Sequence, residues 1–582
     1  MKFFCLFLSL ILYSFTVLGQ VSNESVKINY SKEAETTNYE AFTNIIRSED
    51  GYYAYKIKEK GIKGVISNLS RYIEKYDKDM NFIGSIAIEF TQEGQEYVSI
   101  EHINNKLYVF SSITNKKENQ HSLFIQEVDK ASLKLDSKLV KLTSVSSDEL
   151  INEDSPFRIS ISPDNSKLAI SYSTNKKKDV YKITSQVYTT SSLDVIWEKE
   201  IELNYTNYLY KHQTILVDDF GNTHILGEKI NPEKKIRKEP KSNYIITSIF
   251  NNGSIHKTYE IPKEKYFTDL NIMLNTNQDI ICTALYANDY KALIVVKNRE
   301  VLTNRMHFPT DGVYFLRLDS KTGTKQGESF EEFDLEFISK NESEWTANRL
   351  SKQIAKGKDI SLENYYIRKV IAKEDGGVFI TAQYQSNNYG ETMSSSKDKK
   401  IILNSDGSKT TLPRFSPSEA PVQTCKDIIV INLSAEGKTI WNEKIPLSQT
   451  TNGGSVYPSG HFQYDKNNSG FLTPDMYSVI YHNEMLYLVF NDNAKNTLIK
   501  DKDKLYEYET GANRNGYGID KEHAITLLSI NKQGVYERDI LLTQNKKEST
   551  HIYPKIYFQT LENELILFAR GKKMYRLVRL KF

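Results

Sequence analysis

Residues 367–384 read IRKVIAKEDGGVFITAQY: an apolar run, a polar turn with two glycines, and a second apolar run. The same pattern occurs eight times, at 41–57, 97–113, 157–173, 214–228, 270–286, 367–384, 476–492 and 555–570. Each copy is typical of a β-hairpin, because short apolar runs separated by Gly, Asn or Asp favour two strands and a tight turn. Repetition at a spacing of roughly 55 residues or more indicates the blades of a propeller.

A second hairpin follows the first and also repeats. Residues 70–78 (SRYIEKYDK) align without a gap with residues 122–130 (SLFIQEVDK). Further copies lie at 186–203, 244–261, 313–330, 428–447 and 524–542. Two hairpins in each repeat predict a four-stranded antiparallel blade, and therefore an all-β protein.

The eighth unit is incomplete, because only one strand, 574–582, follows the hairpin at 555–570. A propeller ring has to close, and residues 25–30 (SVKINY) form a β-prone run with no other partner. We therefore predict an all-β propeller closed by this N-terminal strand, with eight blades favoured and seven as the alternative. Pairing there would leave fewer unpaired strand edges.

Two segments resemble blades of known propellers. Residues 217–227 (VDDFGNTHILG) resemble the Asp-x-x-Gly-Asn-x-x-aliphatic-x-Gly signature of the secreted bacterial β-propeller superfamily with degenerate repeats. Residues 434–441 (SAEGKTIW) resemble the outer hairpin of quinone-type blades, in which a Gly precedes a docking Trp. The resemblance implies a fold and no activity. A sialidase-like Asp box is not matched, because Glu436 replaces the aspartate and Gly437 is displaced.

Residues 1–19 have the organisation of a signal peptide. Lys2 gives a basic start, residues 3–17 are apolar, and Val17, Leu18 and Gly19 offer small or neutral residues for cleavage. The apolar stretch is shorter than the roughly 20 residues of a spanning helix. We therefore expect an exported protein, periplasmic or extracellular, with a single propeller domain over 20–582 and no transmembrane segment after cleavage.

Cleavage would leave two cysteines, Cys282 and Cys425. Cys282 lies in the apolar run DIICTALY, which predicts a buried thiol. A disulfide is the alternative in an oxidising compartment.

Composition and motifs exclude several functions. Lys and Arg number 76 against 74 Asp and Glu, which gives no basic patch for nucleic acid. The sequence has no Gly-x-Ser-x-Gly, His-Glu-x-x-His or Gly-x-x-x-x-Gly-Lys motif, and its ten histidines lack metal-ligand spacing. Residues 465–470 begin like a calcium loop, but Ser469 occupies position 5 and Met476 replaces the required Glu. We predict no cofactor and no metal.

Five long insertions distinguish the later repeats, at 287–312, 331–366, 385–427, 448–475 and 494–523. In an up-and-down blade these connections all lie on one face, where long loops are often functional. Within the insertion at 331–366, residues 343–356 begin with a Ser cap and are followed by Gly357, which predicts a helix. The candidate ligand-binding residues are Tyr384, Tyr389, Tyr457, His461, Tyr464, Tyr506, Tyr508, Arg514 and Tyr517.

Tyrosine presents a flat apolar ring and a hydroxyl, which suit sugars and extended peptides. The functional hypothesis is therefore a binding protein that recognises a peptide, protein or glycan through these loops. The alternative is a glycan hydrolase or lyase that uses His461, Tyr464, Asp465 or Arg514 as acid, base or electrophile, because a catalytic group assembled from distant residues leaves no local motif.

Overall fold

The structure is a computed structural model that describes residues 26–582, with gaps at 36–39, 61–67, 151–155, 178–179, 206–208, 232–241, 289–292, 298–299, 306–308, 389–398, 404–408, 414–421, 453–476, 497–509, 513–522, 545–549 and 572. The predicted signal peptide, 1–19, lies outside the described residues. The described chain forms an eight-bladed β-propeller of four-stranded antiparallel blades, which confirms the predicted fold and blade number.

The strands of the first half of the ring follow each other without large additions. Two short strands come first, β1 (Lys27–Tyr30) and β2 (Ala34–Glu35). Blade 1 contains β3 (Glu40–Ser48), β4 (Gly51–Lys60), β5 (Asn68–Tyr76) and β6 (Phe82–Ala87). Blade 2 contains β7 (Gln95–Ile103), β8 (Lys106–Asn115), β9 (Gln120–Asp129) and an outer strand split into β10 (Lys134–Leu135) and β11 (Val140–Ser146). Blade 3 contains β12 (Arg158–Ile161), β13 (Lys167–Lys177), β14 (Val180–Thr189) and β15 (Val195–Asn204), and blade 4 contains β16 (Leu209–Val217), β17 (Thr223–Ile230), β18 (Ser242–Phe250) and β19 (Ile255–Glu260).

The second half carries extra strands and helices. Blade 5 contains β20 (Tyr266–Leu274), β21 (Ile280–Ala287), β25 (Gly312–Leu318) and β26 (Lys325–Glu332), with β22 (Leu293–Lys297), β23 (Glu300–Arg305) and β24 (Pro309–Thr310) inserted. The helices α1 (Leu335–Ser339) and α2 (Glu344–Ile354) and the strand β27 (Leu362–Glu363) lead to blade 6. Blade 6 contains β28 (Tyr365–Ala372), β29 (Val378–Asn388), β32 (Val422–Leu433) and β33 (Thr439–Asn452), with the hairpin β30 (Lys399–Leu403) and β31 (Lys409–Pro413) inserted. Blade 7 contains β34 (Tyr477–His482), β35 (Met485–Asn493), β37 (His523–Ile530) and β38 (Tyr536–Gln544), with β36 (Thr510–Ala512) inserted, and blade 8 contains β39 (His551–Leu561), β40 (Glu564–Arg570) and β41 (Met574–Lys581).

Eight hydrophobic clusters hold the ring together, one between each pair of neighbouring blades. Strand β21 shows how one sequence supplies two of them. Its alternate residues Ile281 and Leu285 face blade 6, whereas Ile280, Cys282 and Ala284 face blade 4. Because both faces of the strand are buried, its sequence is apolar apart from Thr283. The predicted burial of the Cys282 thiol is confirmed, and within the described part of the chain neither Cys282 nor Cys425 forms a disulfide.

The N-terminal strand closes the ring, as predicted. Strand β1 pairs antiparallel with β41, from Lys27 opposite Lys581 to Tyr30 opposite Val578. Ser31 extends the ladder, since its amide donates to the Leu577 carbonyl (3.0 Å) and its hydroxyl accepts from the Leu577 amide (2.9 Å). The first strand of the described chain is thus the outer strand of the last blade.

A buried carboxylate lies between blade 1 and blade 8. Glu74 of β5 accepts hydrogen bonds from Lys56 (2.6 Å), Tyr76 (2.5 Å) and Tyr575 (3.0 Å), and the last of these belongs to β41. Lys56 and Glu74 are 7% and 3% exposed, so the two charges depend on each other. The same blade contact contains a second carboxylate, Glu564.

Glu564 begins β40 and receives donors from both sides of the closure. Tyr52 of blade 1 (2.9 Å) and Thr560 of blade 8 (2.6 Å) donate hydroxyl hydrogen bonds, and Arg47 of blade 1 forms an ion pair at 2.9 Å. Burial opposes ionisation of Glu564, but these donors together leave its pKa below the usual range. The closing contact is therefore polar as well as apolar.

Two tryptophans fasten outer strands to the hairpin turns of the next blade. Trp197 of blade 3 donates to the Gly221 carbonyl (3.0 Å) in blade 4, and Trp441 of blade 6 donates to the Lys532 carbonyl (2.8 Å) in blade 7. Gly534 has φ +84° and faces Trp441 so closely that an added Cβ would lie 2.8 Å from the ring. Only glycine fits that turn without displacing the indole.

Removal of residues 20–30 is the direct test of ring closure. We expect the shortened mature chain to melt at lower temperature and to self-associate. Strand β41 keeps its pairing with β40 but loses its pairing with β1, so it presents an open edge. The variant Lys27→Ala, which keeps the backbone ladder, is the matched control and should behave as wild type. Calorimetry and size-exclusion chromatography measure both effects, and an unchanged shortened chain would contradict the closure.

The substitution Lys56→Met tests the buried ion pair. It leaves Glu74 without its counter-charge, so we expect a loss of about 3–5 kcal/mol in the free energy of unfolding. The control is Lys106→Met, which removes an exposed pair with Glu127 and should cost less than about 1 kcal/mol. Urea unfolding compares the two variants, and equal losses would show that burial of the pair has no special role.

Candidate functional site

The two faces of the disc differ in what they carry. Because the strands of each blade alternate in direction, the hairpin turns lie on one face and all other connections lie on the opposite face. We call these the turn face and the insertion face. The inserted elements β22–β24, α1, α2, β27, β30, β31 and β36 all belong to connections of blades 5, 6 and 7.

The inserted segments pair with one another and with the blades. Strand β24 pairs with β27, so that the insertion within blade 5 joins the connection between blades 5 and 6. Strand β33 extends beyond its blade and pairs in parallel with β36, an insertion of blade 7. These two pairings fix parts of the insertions of blades 5, 6 and 7 by backbone hydrogen bonds.

The helical segment is well defined. Helix α2 begins after Ser343, whose hydroxyl accepts from the Thr346 amide (3.2 Å), and Gly357 follows it with φ +66°, which confirms the predicted helix. Leu350 packs against the cluster between blades 5 and 6. Trp345 is 71% exposed, and the guanidinium of Arg349 lies 5.3 Å from the centre of its ring. The helix thus presents one aromatic side chain to solvent.

A buried lysine anchors this segment to blade 6. The Lys444 ammonium lies 2.8 Å from Glu342 and 3.4 Å from Asp427, and it donates to the Ile338 carbonyl (3.3 Å). Asn341 in turn donates to the Lys444 carbonyl (2.5 Å). Three of these polar contacts, with Ile338, Asn341 and Glu342, hold the end of α1 and the start of α2 in place.

Of the residues predicted to bind ligand, the structure describes Tyr384. It lies in β29, where its ring meets Tyr365 edge to face at 6.1 Å and the Lys426 ammonium lies 5.9 Å from its centre. Tyr384 therefore packs partly into the cluster between blades 5 and 6. Tyr389, Tyr457, His461, Tyr464, Tyr506, Tyr508, Arg514 and Tyr517 lie outside the described residues, and their role stays a prediction.

The inner strands are bulged near the insertion face. The inner strand of each blade is its first strand, which begins at this face. In six of the eight described blades, the inner strand shifts register against the second strand of the blade within the first half of its length. The shifts fall between Phe42 and Asn44, Tyr97 and Ser99, His212 and Thr214, Thr268 and Asn271, Ile367 and Lys369, and Tyr553 and Tyr557. Bulges redirect side chains, here at the end of the central channel that opens on the insertion face.

Polar side chains at these bulges link neighbouring inner strands. Arg158 of β12 donates to the carbonyls of Gln213 (3.2 Å) and His212 (3.3 Å) in β16. Asp269 of β20 accepts from the Ile367 amide of β28 (3.0 Å). Burial, and then the neighbouring Arg158, lower the pKa of His212 to about 3, so that this histidine stays neutral. These contacts tie blade 3 to blade 4 and blade 5 to blade 6 at their inner strands.

Sequence reasoning missed these contacts. The nearest signal in the sequence is Arg368 and Lys369, two successive cations that follow Ile367 in the otherwise apolar run IRKVIA of an inner strand. The buried histidine His224 shares a hydrogen bond with Ser248 (3.0 Å). Among the described residues, no group of three or more His, Cys, Asp or Glu side chains is arranged to hold a metal ion.

Glu101 on the inner strand β7 is a carboxyl group with altered acidity. Burial raises the pKa of Glu101 to about 7, and the neighbouring Ser99 hydroxyl offsets this only in part. The unfolded chain releases the same proton near pH 4.3. Between these values the folded protein binds more protons than the unfolded chain, so that the contribution of Glu101 to stability falls as the pH rises from about 4.3 to about 7.

The substitution Glu101→Gln should remove this dependence. We expect the variant to melt above wild type at pH 8 and close to wild type at pH 4, because glutamine resembles the protonated acid. Glu96→Gln, at an exposed position of the same strand, is the control and should change the melting temperature equally at both pH values. Melting curves at several pH values decide the matter, and a constant difference for Glu101→Gln would contradict the shifted pKa.

No protein-family model matches the sequence, and comparison with curated proteins gives no match. Among solved structures, the chain is similar to the polysaccharide lyase Uly1, with 8% identity over 95% of this chain and 99% of that one, at a TM-score of 0.34. The propeller domain of the Trilobed protease from Pyrococcus furiosus has 12% identity over 60% and 91%, at 0.27. A protein of unknown function from Dyadobacter fermentans DSM 18053 has 8% identity over 96% and 100%, at 0.30. At these scores the similarities support no inference about activity.

Neither helix in the described part of the chain is both long and apolar enough to cross a lipid bilayer.

Proposed function

We propose that this protein is an exported β-propeller, periplasmic or extracellular, that binds a peptide, protein or glycan through the insertion face. The observation that carries the proposal is the pairing of inserted segments of blades 5 to 7, in which β24 joins β27 and β33 joins β36. Segments already held by backbone hydrogen bonds before binding lose little conformational entropy when a ligand arrives.

Several features of the described chain support this use of the face. The buried Lys444 ammonium anchors the helical segment through Glu342 and the Ile338 carbonyl, and Trp345 of that segment is exposed. Insertions of this length on blades 5 to 7 contrast with the short connections of blades 1 to 4. Rigid scaffolds with elaborated loops on one side commonly recognise ligands there. The predicted tyrosines would supply flat, amphipathic contacts to sugars or extended chains.

The test begins with the mature chain screened on glycan and peptide arrays. The triple variant Tyr457→Ala, Tyr464→Ala, Tyr508→Ala should lose capture of any ligand found, while its melting temperature stays that of wild type. Phe220→Ala is the matched control, because Phe220 is an aromatic residue 54% exposed in a hairpin turn of the opposite face. Capture that survives the triple variant would contradict the proposed surface.

The same material distinguishes the enzyme alternative. A hydrolase or lyase would turn over a glycan, and His461→Ala or Asp465→Ala would then reduce the rate by about 10²- to 10⁴-fold with binding retained. Turnover by wild type that is lost in either variant would overturn the binding proposal.

A further inference from the structure

One exposed face of helix α2 and its last turn carries an aromatic ring followed by three cations, Trp345, Arg349, Lys352 and Lys356. Their spacing of i, i+4, i+7 and i+11 places them within an arc of about 60° around the helix axis, because one turn takes roughly 3.6 residues. Leu350, which packs into the cluster between blades 5 and 6, lies about 130° from the middle of this arc. The four side chains therefore point away from that cluster, and we call them the α2 row.

The positive charge of the α2 row is not balanced by a neighbouring carboxylate. Its three cations form no ion pair with any residue that the structure describes, whereas the charged residues just before the helix are paired, Lys340 with Glu443 (2.5 Å) and Glu342 with Lys444 (2.8 Å). Glu344, the acidic residue of α2, lies about 110° from the middle of the arc, on another side of the helix. The row is thus a local positive surface on a chain whose formal net charge is only +2.

The stability of the helix accounts for only part of this row. Cations in the last turn oppose the partial negative charge at the C-terminal end of a helix, which applies to Lys352 and Lys356. Arg349 lies in the middle of α2, and Trp345 is 71% exposed, so that the helix dipole and burial explain neither residue. The Arg349 guanidinium lies 5.3 Å from the centre of the indole ring, so the two side chains form one surface.

The α2 row is held in place before any ligand arrives. The Ser343 hydroxyl caps the helix by accepting from the Thr346 amide (3.2 Å), and Lys444 fixes the chain that precedes it. At the other end, the Lys356 amide donates to the Gln353 carbonyl (3.1 Å), which keeps the last cation close to the helical path. A ligand that binds the row therefore orders little backbone.

We propose that the α2 row binds an acidic glycan, with a sugar ring stacked on Trp345 and the anionic groups of the chain on the three cations. This inference names the ligand class of the insertion face and so rests on the proposed function. An indole ring covers the apolar side of a sugar, and a guanidinium donates paired N–H groups to a carboxylate or a sulfate. An acidic peptide would satisfy the cations alone, so the exposed indole favours a glycan.

The length of the α2 row suits a polymer. Trp345 and Lys356 are eleven residues apart, which corresponds to about 16 Å along a helix. A chain of sugars that carries its negative charges at intervals can contact the whole row, whereas a single sugar can contact only one end of it.

Affinity electrophoresis of the mature protein in gels that contain alginate, chondroitin sulfate, dextran or polyglutamate tests the site. Wild type should be retarded by one or both acidic glycans, should ignore neutral dextran and should bind polyglutamate much more weakly. Retardation by alginate shows that carboxylates suffice, and retardation by chondroitin sulfate alone assigns the sulfate. The triple variant Arg349→Gln, Lys352→Gln, Lys356→Gln should bind at least about tenfold more weakly, because its charge-assisted contacts are gone.

The matched control is Lys78→Gln, Lys321→Gln, Lys532→Gln, which removes three exposed cations from hairpin turns of the opposite face. It has the same net charge as the α2 variant and should bind as wild type does. Both triple variants should keep the melting temperature of wild type, because all six side chains are exposed. Equal loss of binding in the two would show a general attraction of charge and would overturn the site.

The indole gives a second readout. Trp345 is the most exposed of the three tryptophans, so an acidic glycan should protect the fluorescence of wild type from quenching by acrylamide. Trp345→Ala should bind the glycan about tenfold more weakly, whereas Trp345→Tyr, which keeps a ring, should retain most of the affinity. Unchanged binding by Trp345→Ala, or equal affinity for polyglutamate and the acidic glycans, would overturn the assignment to a glycan.

Failure of this inference is distinguishable from failure of the proposed function. Wild type that binds neither acidic glycan overturns the inference, even if the arrays reveal a neutral glycan or a peptide as ligand. A ligand whose capture is lost in the tyrosine triple variant and kept in the α2 triple variant would leave the proposed function standing and would overturn the α2 row as its site. Capture of nothing on any array would overturn both.

Discussion

The contact between blade 8 and blade 1 is the constraint on which the rest of the structure depends. Every blade buries its two faces only against its neighbours, so that an open ring would leave two blades with an exposed apolar side. The chain closes this contact with a backbone ladder between β1 and β41 and with the buried carboxylates Glu74 and Glu564. Their donors come from both blades, so the polar groups fix the angle at which the apolar surfaces meet.

Because the ring is closed, one part of it can carry insertions that the rest does not have. Blades 1 to 4 are joined by short connections, whereas blades 5 to 7 carry the paired insertions and both helices. Additions of this size are tolerated because the blades beneath them are already determined by their own clusters, and the added chain has only to satisfy its own backbone groups. Lys444 shows how one buried charge on a blade can fix the position of such a segment.

Much of the fold was predictable from sequence because hairpins are local. Alternating runs, Gly and Asn turns and the missing last strand favoured eight blades over seven and indicated the role of residues 25–30. The site was less accessible from the sequence. A bulge shifts register by one residue without a characteristic sequence, and the partners of Arg158 and Asp269 lie on strands far away in the chain. The acidity of Glu101 likewise follows from burial that no local pattern reveals.

The pairing of β1 with β41 has a consequence for biosynthesis. The first described strand has as its partner a strand more than 540 residues later in the chain, so the ring cannot close before residues 574–581 have been synthesised. Until then blades 1 and 8 each keep an uncovered side, however completely the blades between them have formed. Before closure the chain therefore exposes sheet edges and apolar blade surfaces, which are the features that make partly folded chains prone to aggregate.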